Sequence, residues 1–183
     1  MKKRELIPDA LFVIDDFLSV QECDDYILWS EQQGYEEAKV QLDGGQVMMK
    51  NIRNNSRIVF PDHVLAEKIW NKVAPFVVRK FGNSEAIGLN ELFRFYRYES
   101  GQRFKKHKDG SYVRNETEAS YFTLMLYLND DFEGGETSFE THVIRPEKGQ
   151  VLIFEHGLKH AGEPIISGVK YVLRTDIMYK TIE

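Results

Sequence analysis

The chain has 183 residues, with 24 Lys and Arg against 29 Asp and Glu for a formal net charge of −5, and is 42% hydrophobic and 13% aromatic. That length fits one domain with its own core, the aromatic content excludes a disordered chain, and the acidic balance argues against a general polyanion binder, so nucleic acid is not an expected partner. No apolar run reaches membrane-span length, and the single cysteine, Cys23, forms neither an intramolecular disulfide nor a CxxC knuckle, so a cytoplasmic setting is expected and any metal must use His and carboxylate donors.

The opening "MKKRELIPDALFVIDDF" is basic at its start, but Pro8, Asp9 and Asp15 interrupt it before an apolar stretch of signal-peptide length develops. Ser19 followed by Glu22 forms a capping box that predicts a helix through about Gln33, with Gly34 as its stop. "GGQVMMKNIRNNSRIVF" reads as a glycine-rich turn, a polar loop and a short strand. Asp62 caps a second helix, whose apolar stripe of Leu65, Ile69, Trp70, Val73, Phe76 and Val77 faces a core, and Pro75 kinks or ends it. The histidine that opens this helix, His63, reads as a solvated first-turn residue.

From Gly88 the hydrophobic period becomes two and the segments shorten. Strands are expected near 90–98, 102–107, 119–129, 136–144, 150–154, 163–166 and 170–179. This is a mainly β (α+β) pattern: a jelly roll, or double-stranded β-helix, over 88–183, with the N-terminal helices of a supporting segment 1–87 packed on one sheet and the whole forming a single domain.

Three strands carry a second signal. In "NELFRFYRY" Phe93 and Phe95 share one face, while Asn90, Arg94, Tyr96 and Tyr98 share the other with Leu92. In "YFTLMLYLN" Phe122, Leu124 and Leu126 oppose Thr123, Met125 and Tyr127. In "KYVLRTDIMY" Leu173 and Ile177 oppose Lys170, Arg174 and Asp176. An ordinary sheet with one solvated face gives the same alternation. If helices cover the apolar faces, however, the polar faces line the barrel, and Arg94, Lys170 and Arg174 lie in a partly dry space where cations require anionic partners.

In "FKKHKDG", His107 and Asp109 are two apart, so on a strand they converge on one point, a fragment of a metal site. Lys105, Lys106 and Lys108 read as solvated rim. The third ligand must come from His63, His142, His156 or His160, and residue type alone does not choose among them.

The ordered pieces "RFYRYESGQRFKKHKDG", "TLMLYLNDDFEGGETSF" and "PEKGQVLIFEHGLKHAGEPIISGVKY" resemble the catalytic core of the iron(II)- and 2-oxoglutarate-dependent dioxygenases, in the prolyl 4-hydroxylase-like branch. The resemblance covers about residues 88–179, and "LFVIDDFLSVQECDDYI" is similar to the family's entry segment. By position it implies His107, Asp109 and His160 as metal ligands, with His156 as the alternative, and Lys170 as the cation that grips the far carboxylate of 2-oxoglutarate. It also implies Tyr98, Tyr127 and Thr123 as lining for that cosubstrate, and Arg174 as a residue that shares or takes over the carboxylate contact. Two imidazoles and a carboxylate on one face of Fe(II) leave three positions open, whereas a structural zinc site closes all four.

The activity implied is hydroxylation of an unactivated C–H bond with Fe(II), 2-oxoglutarate and O2, releasing succinate and CO2, with ascorbate as accessory reductant. A prolyl residue of a protein or peptide is the substrate implied, and a free amino acid or other small metabolite is the alternative. Arg53, Arg57, Asn90 and Arg94 are candidate substrate contacts, and the loops "QLDGGQVMMKNIRNN" and "GSYVRNETEAS" are candidate lids. "GGET" reads as a structural turn. The competing class is a catalytically silent jelly roll that binds an acidic ligand or a protein; oligomeric state is not legible.

Overall fold

The structure, a computed structural model, describes residues 1–37, 40–42, 45–47 and 54–182. At the N-terminus, β1 (Lys2–Ile7) and β2 (Leu11–Asp15) form an antiparallel hairpin. Neither is among the expected strands. Leu11, Phe12, Val13 and Ile14 are all buried, so β2 is apolar on both faces and shows no alternation. Helix α1 (Val20–Gln33) begins at the expected capping box: the Glu22 amide donates to Ser19 Oγ at 3.2 Å and the Ser19 amide donates to Glu22 Oε2 at 2.9 Å. Gly34 ends it at φ 80, a left-handed value that suits glycine.

Strand β3 (Ser56–Pro61) leads into α2 (His63–Val73), where Asp62 Oδ1 accepts from the Leu65 amide at 2.9 Å. The helix stops two residues before Pro75. Its buried stripe is Leu65, Ala66, Ile69 and Val73. The strands that follow are β4 (Ser84–Leu89), β5 (Leu92–Tyr98), β6 (Phe104–His107), β7 (Glu118–Tyr127), β8 (Thr137–Phe139), β9 (Val151–Glu155), β10 (His160–Gly162) and β11 (Lys170–Thr181). Two expected strands divide. The stretch 136–144 becomes β8 and Val143–Ile144, and 163–166 falls between β10 and Ile165–Ser167, where Pro164 cannot donate to a ladder.

These strands make a double-stranded β-helix. The main antiparallel sheet runs β1-β2-β9-β7-β11-β5-β3 and ends on Glu36–Glu37, with β4 paired to the C-terminal half of β11. Facing it is a four-stranded sheet of β6, β10, β8 and Val143–Ile144. The first 87 residues thus supply strands to the main sheet as well as both helices.

The alternation along the strands divides the interior in two. One apolar cluster lies between the helices and the main sheet; it includes Leu65, Ile69, Val73, Phe93, Phe95, Phe122, Leu124, Leu126, Leu173 and Ile177. The other lies inside the barrel and holds Tyr96, Tyr98, Tyr127, Leu152, Phe154, Val172 and Phe139. Alternate residues of one strand therefore serve different compartments.

Candidate metal centre and adjoining pocket

The metal-ligand candidates meet where the minor sheet faces β7 and β11. His107 ends β6, and β6 pairs with β10 so that His107 is directly opposite His160. Asp109 lies two residues past the end of β6 rather than on it, in the connection that follows. Ligand atoms of His107, Asp109 and His160 all lie within 4.8 Å of one another. His107 Nε2 is 3.6 Å from Asp109 Oδ1, and His160 Nε2 is 3.8 Å from Asp109 Oδ2.

The protonation pattern favours a cation among them. His107 Nδ1 donates to the Lys105 carbonyl at 2.7 Å, and His160 Nδ1 donates to the Leu158 carbonyl at 3.0 Å. A carbonyl only accepts, so each Nδ1 carries a proton, which leaves each Nε2 as the nitrogen whose lone pair can be offered inward to a metal. Burial pushes His160 down to about 4, against the pull of Asp109, so this ring is neutral at pH 7. Aromatic rings fix both imidazoles: Phe104 stacks on His107 at 3.6 Å, and Phe154 meets His160 edge-on at 4.5 Å. Two such nitrogens and a carboxylate form the 2-His-1-carboxylate set that suits ferrous iron.

Asp109 is almost fully enclosed. Burial would raise its pKa, but the Arg174 charge, contact with His107 and His160 and the Thr123 hydrogen bond together hold it well below the usual carboxylate range. Thr123 Oγ1 donates to Asp109 Oδ2 at 2.6 Å, and Arg174 Nη2 lies 3.1 Å from the same oxygen. The ion pairs continue outward, from Arg174 Nη2 to Asp176 Oδ1 at 3.3 Å and from Asp176 Oδ2 to Arg94 Nη1 at 3.3 Å.

Along β11 from Arg174 the barrel narrows to a pocket lined by Tyr96, Tyr98, Met125, Thr137, Lys170 and Val172, with His107, His160 and Arg174 at its metal end. Lys170 is only 3% exposed. Its Nζ donates to the Gly135 carbonyl at 2.5 Å and sits 5.2 and 5.7 Å from the centroids of the Tyr127 and Tyr98 rings. It makes no ion pair among the described residues, and burial pushes it down to about 7 although Glu136 pulls it back up. Tyr127 is fully buried, and its hydroxyl shares a 2.7 Å hydrogen bond with Thr137 Oγ1.

The remaining candidates separate. His156 is outside the ligand cluster: its Nδ1 bonds the Gly110 carbonyl at 3.1 Å and its Nε2 is 3.9 Å from Asp176 Oδ1. Asn90, expected at the substrate, is fully buried with its Oδ1 accepting from the Leu92 amide at 3.1 Å, so it shapes the turn between β4 and β5. Arg94 is committed to Asp176 and remains partly exposed. Arg57 pairs in register with Tyr96 and shares its face. Arg53 and most of the loop 41–55 lie outside the described residues. The other lid candidate is anchored at Arg114, which pairs with Glu91 at 2.6 Å and Glu118 at 3.2 Å.

Two features escape the sequence reading. Asp176 is on the barrel face by parity, but nothing in the sequence marks it as a bridge between two arginines. The "GGET" turn does more than reverse the chain. A Cβ on Gly134 would stand 2.3 Å from the Pro164 carbonyl oxygen, and one on Gly135 2.4 Å from Ile165 Cδ1. Bare backbone there lets the Gly135 carbonyl meet Lys170 and brings Thr137 under Tyr127.

Comparison with known proteins agrees with this geometry. The family model of the 2OG-Fe(II) oxygenase superfamily matches residues 93–175, a span containing all three ligand candidates and Lys170. Prolyl 4-hydroxylase 1 of Arabidopsis thaliana is 26% identical over 88% of this chain and 66% of its own length. The chain spans 64 to 66% of the length of the Arabidopsis prolyl 4-hydroxylases it matches. The viral collagen prolyl hydroxylase of Paramecium Bursaria Chlorella virus-1, solved with 2-oxoglutarate, superposes with a TM-score of 0.68 at 26% identity, covering 95% of this chain and 98% of that one. A Trichoplax adhaerens prolyl hydroxylase, solved with a hypoxia inducible factor peptide fragment, gives 0.72 at 19% identity over 93% of this chain and 84% of that one, which is a likeness of fold. With its donor set, barrel and ordered motifs accounted for together, the chain is similar to the 2OG-Fe(II) oxygenase superfamily over residues 93–175 and, over most of its length, to prolyl 4-hydroxylases.

Proposed function

We propose that this protein is an Fe(II)- and 2-oxoglutarate-dependent hydroxylase whose substrate is a prolyl residue of a protein or peptide. The observation that carries the reading is the pairing of a His107–Asp109–His160 donor set with an un-ion-paired, buried Lys170 in one continuous pocket. A structural metal site has no use for that lysine, and a barrel that merely binds an acidic ligand has no use for the converging imidazoles.

In this reading His107, Asp109 and His160 hold the metal. Iron, the keto acid and O2 supply the oxidising chemistry, in which one oxygen atom enters the C–H bond and the other enters succinate as CO2 is released. The chain's own residues orient and enclose. Lys170 is the cation for the far carboxylate of the cosubstrate, since among the described residues no protein carboxylate pairs with it, whereas Arg174 is paired by two. Tyr98 lines that end of the pocket, and the fully buried Tyr127 ring backs the lysine from behind the wall. The prolyl substrate rests on the relatives: the likeness to prolyl 4-hydroxylases and to a viral collagen prolyl hydroxylase supports it.

The test is direct. Fe(II) and 2-oxoglutarate added anaerobically should produce the weak visible charge-transfer band of a chelated keto acid. Admission of O2 with a proline-containing peptide should then yield equal amounts of succinate and hydroxylated product. Absence of both the band and succinate would eliminate the reading; succinate without a hydroxylated peptide would leave the cofactor chemistry and remove the prolyl substrate.

A further inference from the structure

On the assumption that the ferrous site proposed above is real, we infer that Arg174 and Thr123 are positioning residues for the metal ligand Asp109: together they occupy Oδ2 and thereby reserve Oδ1 for the metal. Arg174 is thus a device of the metal site and not a second anchor for the cosubstrate.

A carboxylate oxygen offers two in-plane acceptor positions. At Oδ2 one is taken by the Thr123 hydroxyl at 2.6 Å, and the Arg174 Nη2 charge stands 3.1 Å from the same oxygen as an ion-pair partner, its own hydrogens directed at Thr123 Oγ1 and Asp176 Oδ1. Each oxygen lies near one ligand imidazole, Oδ1 at 3.6 Å from His107 Nε2 and Oδ2 at 3.8 Å from His160 Nε2, but only Oδ2 carries the Thr123 hydrogen bond and the Arg174 charge. A carboxylate free at both oxygens can chelate one cation through both, and a bidentate Asp109 would use up a coordination position that the keto acid or O2 needs. The fixed Oδ2 contacts oppose that arrangement.

The surrounding residues hold Arg174 in this role. Its Nη2 also reaches Asp176 Oδ1 at 3.3 Å and Thr123 Oγ1 at 3.3 Å, while Asp176 is itself gripped by Arg94. The register makes this assembly a cross-strand unit. Thr123 is opposite Asp176 and Arg174 is opposite Arg94, all with side chains on the barrel face of the main sheet. Arg174 is therefore braced from β5, β7 and its own strand before it reaches Asp109. A planar guanidinium suits this task better than lysine, because one terminal nitrogen can serve several acceptors while the plane stays fixed. Lys170, four residues away on the same face, has none of these carboxylate partners.

The experiment compares Arg174→Met, Arg174→Lys, Thr123→Val and Lys170→Met with wild type. Co(II) is titrated into the metal-free proteins without cosubstrate, and 2-oxoglutarate is then titrated into the Co(II)-loaded forms. The inference predicts that Arg174→Met and Thr123→Val both shift the Co(II) d–d absorption and weaken Co(II) binding by about 10- to 100-fold, the usual cost of losing a partner that orients a ligand. Arg174→Lys should recover part of the affinity. Lys170→Met should leave the Co(II) spectrum alone and weaken only 2-oxoglutarate binding. Thr123→Val removes one hydroxyl and no charge, so it keeps the test available if Arg174→Met fails to fold. Unchanged Co(II) spectra and affinities in Thr123→Val and the folded Arg174 variants would overturn the inference, as would an Arg174 variant that loses only 2-oxoglutarate affinity. Wild-type protein that takes up no Co(II) would instead overturn the metal reading on which the inference rests.

Discussion

The two faces of the main sheet are built from the same strands and do opposite work. On the helix side, Phe93 and Phe95 of β5 sit in an apolar layer with Leu65, Ile69 and Val73. On the barrel side, Arg94, Tyr96 and Tyr98 of that strand join the buried Lys170 and Asp176 and the partly buried Arg174 of β11, all three charged residues. Buried charges are costly and the apolar layer offsets that cost, so stability should depend mainly on one face and chemistry on the other. The largest expected effect is on the chemical face. His107→Ala should abolish metal uptake in a titration of the metal-free protein while far-ultraviolet circular dichroism stays that of the folded chain. A variant that binds metal as wild type does would break the division at its centre.

The helix face should respond in the opposite way. Phe95 stacks on Phe60 at 5.6 Å and meets Trp29 at 5.4 Å. Phe95→Ala should cost about 3–5 kcal/mol in denaturant unfolding, the range for truncating a buried aromatic ring. The molecules that remain folded should bind metal with wild-type affinity. If they do not, the sheet transmits strain from one face to the other and the separation is less complete than the packing implies.

A smaller effect belongs to Lys170. A charge-assisted hydrogen bond is worth about 1.5–3 kcal/mol, so Lys170→Met should weaken 2-oxoglutarate binding by about 10- to 100-fold, read by calorimetric titration of the metal-loaded protein. Unfolding of the ligand-free variant should need more denaturant than wild type, because an ammonium without an ion-pair partner has been removed from the interior. Lost stability with unchanged cosubstrate affinity would make Lys170 a packing residue.

How far these faces were legible depended on the kind of signal each residue carried. The alternation in "FRFYRY" and "VLRTDIM" placed Phe93, Phe95, Lys170 and Arg174 on their observed sides, because a period of two is a property of the strand itself. Ser19, Glu22, Gly34 and Asp62 announced the helix ends for a similarly local reason. The β1–β2 hairpin was not legible, since a strand buried on both faces shows no alternation to read. His160 was selected over His156 by motif resemblance, and the physical difference, that β10 pairs His160 against His107, is a tertiary fact. The Arg94–Asp176–Arg174 bridge is of the same kind: parity placed its members on one face, but only the register between strands brought them into contact.

The smallest effect separates the two cations of the barrel face by proton chemistry alone. Burial lowers Lys170 to about 7, whereas Asp109 and Asp176 push Arg174 above its ordinary value despite its burial. In the ligand-free protein Lys170 therefore loses its proton as pH rises through about 7, and a bound carboxylate restores the charged form. Cosubstrate binding then takes up a proton above that pH, so affinity should be level below it and fall above it, by at most about tenfold per pH unit. The unfolded chain keeps an ordinary lysine and binds more protons than the folded one between about 7 and 10.5, so the stability of the ligand-free protein gains from this group as pH rises across that window. His160, neutral above about 4, adds no slope there. A titration of 2-oxoglutarate into metal-loaded protein from about pH 6 to about pH 8.5, a window in which arginine never titrates, reads the difference. Falling affinity that becomes level in Lys170→Met assigns the carboxylate contact to Lys170; level affinity in wild type transfers it to Arg174, which stays charged throughout.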